Sequence, residues 1–244
     1  MGLRDRAVDA VEEMDRPGCD PARLAATYAR FPYVNRALAG WAAVYRGLLR
    51  PALPLTGAAE LLDVGCGGGD VAAHLHRLAA RDGIRLRVTG IDPDARAQAF
   101  AQGAGYDAGV RFERATSAAV AASGRRFHAV VSNHVLHHLD EEAFAGLLAD
   151  SERLLAPGGI AVHNDIRRSR AAYALFWAAA APLAPGSFIR CDGLTSIRRS
   201  YTLAELEAAT PPAWEAVARP PFRNLLIHRA GPSTGAGPST GAGL

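Results

Sequence analysis

The run Leu61-Leu62-Asp63-Val64-Gly65-Cys66-Gly67-Gly68-Gly69-Asp70 has the residue types and spacing to hold a nucleotide-like ligand. An apolar stretch ends in a carboxylate and enters a glycine loop, and a helical pattern follows from Val71. Glycines let a ligand approach the main chain with no Cβ in the way. A helix N-terminus adds unpaired N–H groups and the positive end of a dipole. Asp70 stands where a dinucleotide-binding loop has its third glycine. A carboxylate there repels a pyrophosphate, so a ligand with a positive centre and free hydroxyls suits the loop better. Val88-Thr89-Gly90-Ile91-Asp92-Pro93-Asp94 reads as a second strand ending in a carboxylate. Asp92 follows the loop at close to the ~20 positions expected of a ribose-binding acid. Asp94 fits the N-cap of the next helix.

Two more stretches offer groups for proton transfer. Phe127–Val131 reads as a strand running into the polar corner Ser132-Asn133-His134. Leu154-Leu155-Ala156-Pro157-Gly158-Gly159 ends a helix and begins a strand that finishes in His163-Asn164-Asp165. Histidine suits a base near neutral pH, so His134 is the first candidate, with His163 and Asp165 beside it. His137 and His138 read as structural. One carboxylate at these two strand ends is too few for a hard cation, so no catalytic metal is expected.

These four stretches, in this order over residues 59–166, resemble class I S-adenosylmethionine-dependent methyltransferases. Asp63, Gly65, Gly67 and Gly69 match the first motif of that family. The resemblance implies a cofactor running along Asp63, Gly65, Cys66, Gly67 and Gly69. Asp92 and Pro93 would then meet the ribose, Thr116 and Ser117 the adenine, and Asn133 would lie beside it. Two positions depart from the family's pattern: His128 follows Phe127 where an aspartate is usual, and Ala115-Thr116-Ser117 lacks the usual acid. The pattern of Tyr28, Asn35-Arg36, Gly40-Trp41 and Tyr45-Arg46, with Asn164–Ser169, looks like the small-molecule branch found with bacterial polyketide pathways. It implies an apolar or aromatic acceptor, methylated on oxygen, or alternatively on carbon of a polyketide- or quinone-like ring. Tyr28, Phe31, Tyr33, Trp41, Tyr173, Phe176 and Trp177 are the candidate acceptor pocket. An NAD-dependent oxidoreductase is disfavoured by Asp70 and by the lack of any lysine for a Tyr-x-x-x-Lys pair.

Composition bounds the rest. The 27 basic residues are all arginine and the net charge is only +3, with no basic stripe for nucleic acid. Three scattered cysteines, a charged start from Arg4 and no apolar run of ~20 residues suggest a reducing cytoplasm and no membrane span.

The elements that must position these residues follow from periodicity. Alternating strands and helices over 57–166 predict an α/β, Rossmann-like, doubly wound sheet, which the family closes at seven strands with an antiparallel pair near 213–229. Residues 1–56 form a helical cap that Pro32 splits into two helices. Residues 57–230 form the main domain, with a substrate-side insertion at 167–200 holding one helix over 169–183 and then a loop. Thr202 and Glu205 predict a capping box. The Gly-Pro-Ser-Thr repeats of 231–244 read as a disordered tail.

Overall fold

The computed structural model describes residues 3–232. Helix α1 (Pro21–Leu38) starts at Asp20, whose carboxylate accepts from the N–H groups of Ala22 and Arg23. Helical turns α2 (Trp41–Val44) and α3 (Arg50–Ala52) flank a π-helical stretch, Tyr45–Leu49. The alternating region follows as β1 (Ala59–Val64), α4 (Asp70–Arg81), β2 (Leu86–Asp92), α5 (Ala95–Gly103), β3 (Val110–Arg114), α6 (Ser117–Ala122), β4 (Phe127–Asn133), α7 (Glu141–Leu154) and β5 (Leu155–Ile166). Then come α8 (Arg170–Ala179), α9 (Ile189–Arg199), α10 (Leu203–Ala209), β6 (Glu215–Arg219) and β7 (Arg223–Arg229).

The strands are apolar on both faces, which demands a layer on each side. Leu61, Ala129, Val131, Ile160, Val162, Leu225 and Ile227 enter one cluster with α4 and residues 39–53. Leu62, Val130, Ala161 and Leu226, their neighbours along the same strands, enter a second cluster with α7, α10 and Trp214. This is the period-two alternation of a strand. The sheet order is β3-β2-β1-β4-β5-β7-β6, with β7 antiparallel to both β5 and β6. The order reverses between β1 and β4, where an open α/β sheet makes its ligand crevice. No helix among the described residues is long and apolar enough to cross a membrane.

Three expectations need correction. Pro32 does not split the first helix; α1 runs through it. Buried Leu24, Thr27 and Tyr28 hold the chain before the proline, and the Asn35 side chain is bonded to Asp70 after it. The break comes at Gly40, whose φ of 59° lies in the left-handed region that ends helices. Residue 56 is no boundary either, because Ala39, Trp41, Val44, Tyr45, Leu49 and Leu53 share the main core with β1 and α4. The loop expected after 183 contains a helix, α9, with Phe176 packed on the Gly193 backbone. The capping box is present at α10. The tail lies outside the described residues from 233 onward.

His163 illustrates the two faces. It sits in β5 with the second cluster, fully buried and stacked on Trp214. Its Nδ1 is 2.8 Å from Ser132 Oγ and its Nε2 3.1 Å from Ser151 Oγ. Burial pushes its pKa down from 6.5 to about 3, so the folded chain holds it neutral. The folded state therefore binds fewer protons than the unfolded state. The stabilisation is full above pH 6.5 and is lost as pH falls toward 3. Between pH 6.5 and 5 this group is expected to cost about 2 kcal/mol. Urea denaturation of the native chain against His163→Gln should show it, the variant lacking that part of the slope. Equal slopes would remove the assignment.

Candidate active site

The end of β1 and the start of α4 carry the glycine loop. Gly69 precedes α4 with φ of 83°, and a Cβ there would stand 2.4 Å from the Phe112 ring. Tyr106 closes on the same loop and donates to the Gly68 carbonyl at 3.0 Å. Asp92, at the end of β2, accepts from the Gly67 N–H at 3.0 Å and the Asp94 N–H at 2.9 Å. Asp94 caps α5, as the sequence indicates. Cys66 is buried, with its Sγ 2.9 Å from where a Cβ on Gly90 would lie, and its thiol pKa is raised well above the usual value by burial. It packs and does not react.

Three carboxylates ring this loop. Asp63 is buried and neither of its oxygens has a hydrogen-bond partner. Burial, then the charges of Asp70 and Asp92, push its pKa well above the ordinary range. Burial also raises Asp70 and Asp92. Among the described residues no ion pair involves any of the three. A cation is the ligand that such a set accommodates, since it relieves both the mutual repulsion and the lost solvation.

The second half of the site is a hydrogen-bond chain across the sheet. Asn35 donates to Asp70 Oδ2 at 3.0 Å and accepts from Asn133 at 3.2 Å. Asn133 Oδ1 accepts from Trp41 Nε1 at 2.9 Å and from Asn164 at 3.0 Å. Asn164 also donates to the Ala39 carbonyl. These amides thus fasten the N-terminal helices to the ends of β4 and β5. Asn133 is placed in a wall of the site, with its carbonyl oxygen engaged by the protein itself.

His134 follows β4 with φ of 58°, the only positive φ at a non-glycine among the described residues. Such a conformation is uncommon and worth explaining. It turns the ring out of the strand, where the side chain keeps 30% exposure and Nδ1 lies 3.4 Å from Asp165 Oδ1. Nε2 is left as the nitrogen that can take a proton. Asp165 itself cannot act as the base. It is 3% exposed, and it accepts from the His137 imidazole at 2.8 Å and from the His137 N–H at 2.9 Å. Burial alone would raise it, but His137 and His134 hold it far below the carboxylate range. It stands where it can orient the His134 ring. His163 is removed from the catalytic candidates, because strand alternation turns it to the opposite face.

The other expected contacts scatter. Ser117 donates to Asp150 Oδ2 at 2.7 Å and Thr116 caps α6, so both hydroxyls are engaged in local structure. Pro93 is exposed and its carbonyl accepts from Arg114. Trp41 belongs to the main core and also lines a small cavity with Asn35 and Asp70. Tyr33 is 71% and Trp177 54% exposed, and Trp177 carries Arg190 over its ring. Phe176 fills the seam between α8 and α9, while Tyr173 is half-buried on α8. Tyr28 lies against Gly67 and Gly68 with Phe31 and Phe100, on the side of the glycine loop. His128, the departure from the family's aspartate, accepts from the Glu60 N–H at 3.0 Å and links β4 to β1.

Residues 61–159 match a family described as "Methyltransferase domain". That stretch of the chain is similar to this domain. The sheet order and the antiparallel β7 belong to the same fold. The chain is 31% identical over 146 residues to a ubiquinone biosynthesis O-methyltransferase of Ruegeria pomeroyi, covering 60% of this chain and 55% of that protein. A protein of the same name from Methylobacterium sp. is 35% identical over 126 residues, 50% of this chain and 46% of the relative. The chain spans about half the length of the curated relatives it matches. Among solved structures, the plantazolicin methyltransferase BpumL in complex with SAH superposes with a TM-score of 0.57 at 12% identity, over 86% of this chain and 95% of that one. An O-methyltransferase family protein from Burkholderia thailandensis gives 0.51 at 14% identity, over 84% and 60%. These two share the fold of the methyltransferase domain.

Asn35 and Phe112 complete the loop's surroundings, and neither stands among the residues expected at the site. The sequence around Asn35 carries no signal for its bond to Asp70, and Phe112 reads as an ordinary strand residue. Substituting Gly69 by Ala combines a strained φ with a clash against Phe112. It is expected to cost about 1–3 kcal/mol in urea denaturation. No loss would mean that Phe112 and Tyr106 swing clear and the loop is loosely packed.

Proposed function

We propose that this chain is an S-adenosylmethionine-dependent O-methyltransferase acting on a small apolar or aromatic acceptor. The observation that carries the reading is the ring of Asp63, Asp70 and Asp92 around the glycine loop, with no ion pair to any of them among the described residues. A pyrophosphate is repelled there, while a sulfonium and an ammonium are attracted. Asp92 would hold the ribose hydroxyls, and the loop backbone would hold the amino-acid end of the cofactor. Oxygen as the accepting atom is supported by the relatives named ubiquinone biosynthesis O-methyltransferase. A role in bacterial secondary metabolism, and a cytoplasmic setting, rest on the sequence reading alone.

When bound, the cofactor supplies an electrophilic methyl group for in-line displacement. The chain then has three tasks. Its carboxylates orient the cofactor, its N-terminal helix walls the loop through Tyr28, and His134 accepts the proton of the acceptor hydroxyl. Asp165 orients the His134 ring through Nδ1, which leaves Nε2 as the nitrogen available to act. Positioning contributes the larger part of such a rate, and the base adds to it.

Calorimetry should show binding of S-adenosylmethionine and its demethylated product, and none of NAD. Asp92→Ala should weaken the demethylated product by about 1.5–3 kcal/mol, the range for hydrogen bonds to a charged group. Unchanged affinity would move the ribose elsewhere. With a phenolic acceptor, His134→Gln should lower kcat by roughly 10²–10⁴-fold at neutral pH with cofactor affinity kept. The deficit should shrink at alkaline pH, where a phenol ionises unaided. Full activity in that variant would leave proximity alone as the source of the rate.

A further inference from the structure

We propose that Glu12, His137 and His138 form a binding site for a transition-metal dication, zinc foremost. Glu12 comes from the N-terminal segment, and the two histidines from the turn after β4. Glu12 Oε1 lies 3.3 Å from His137 Nε2 and 3.8 Å from His138 Nε2. The three donor atoms all fall within 4.8 Å of one another. His137 is fully buried, and its Nε2 points at this carboxylate without a hydrogen-bond partner of proper geometry.

The far side of each ring is what singles the cluster out. His137 Nδ1 is bonded to Asp165 at 2.8 Å, and His138 Nδ1 stands 3.2 Å from Asp15 Oδ2. A carboxylate behind each imidazole fixes the proton on Nδ1 and directs the Nε2 lone pair forward. This carboxylate–histidine–metal arrangement orients ligands in known zinc sites. Ser196 donates to Glu12 Oε1 at 2.7 Å and steadies the third ligand.

The donor set chooses the metal. Two imidazole nitrogens and one carboxylate suit zinc, with a fourth position left for water. Magnesium and calcium favour all-oxygen sets. Tetrahedral bonds of 2.0–2.1 Å place ligand atoms ~3.3 Å apart, so the cluster must contract slightly. The half-exposed His138 ring can make that movement and gives the ion an entry from solvent. A bound ion would staple the N-terminal segment to the β4 turn and, through Asp165, stiffen the support of His134. The site stands whether or not the methyl-transfer reading does.

The test uses the full chain, freed of metal with a chelator and then titrated with zinc against a chromophoric competitor. One zinc per chain is expected, with a rise in Tm on binding. Cobalt(II) in its place should give the visible absorption of a tetrahedral nitrogen and oxygen site. His138→Ala and Glu12→Gln should each abolish competitor displacement. Asp15→Asn, which alters only the support of His138, should weaken zinc 10–100-fold. His74→Ala and His228→Ala, elsewhere on the surface, should leave binding unchanged. His138 and Asp15 are half-exposed, so these variants keep the test valid if Glu12→Gln fails to fold. Absence of stoichiometric zinc, or binding that survives both His138→Ala and Asp15→Asn, would overturn the site and leave a cluster of ion pairs.

Discussion

The carboxylate of Asp165 is removed from water at the end of β5 and shared between two histidines. A buried charge of this kind is tolerable only when its partners neutralise it and fill its lone pairs. His137 does most of this, giving both its backbone N–H and its ring. The chain after β4 must therefore turn back over β5, and His134 is carried through a left-handed residue to permit it. The ring of His134 then meets the same carboxylate from the open side. The orientation of the candidate base, the shape of the corner and the seat of Glu12 all depend on this one group.

A complementary electrostatic constraint acts on the other side of the crevice. Asp63 and Asp70 are desolvated beside each other, and Asp92 joins them through the loop. Asn35 relieves Asp70 with one hydrogen bond, and backbone N–H groups relieve Asp92. Nothing among the described residues hydrogen-bonds Asp63 through its side chain. Local repulsion of this kind lowers stability and is retained where a ligand of opposite charge repays it. The crevice is thus organised with an acidic floor at β1 and β2 and a basic group, His134, at β4.

The N-terminal segment before β1 serves both halves of the site. Residues 39–53 are a structural layer, locked by Trp41 to Asn133 and by Arg223 to the Ala39 carbonyl. Helix α1 leaves that layer and crosses the glycine loop with Tyr28, while Arg30 and Arg23 tie it to carbonyls of residues 183–187 near α9. Earlier still, Ala7 and Ala10 are bonded to Arg198 and Arg199 at the end of α9. The insertion and the N-terminal segment are therefore one continuous wall, although nearly 200 residues separate their sequences.

Local sequence determined much of this. The strands β1 to β4, the caps Asp94 and Thr202, and the glycine loop with Asp92 depend on short-range periodicity, on side chains bonding nearby N–H groups, and on backbone conformations that only glycine takes easily. The same local rules misled at Pro32, because contacts on both sides of the proline outweigh one lost hydrogen bond. They missed α9, whose glycine looks like a breaker until Phe176 is laid against it. The partition of His163, Asn164 and Asp165 among two faces and three jobs was legible only as an alternation, not as partners. The pairing of Glu12 with His137, of Asn35 with Asp70 and of Trp41 with Asn133 had no signal in sequence at all. Local bonding energies are fixed by neighbours along the chain. Which buried charge meets which partner is fixed by the sheet order, and that exists only once the strands have assembled.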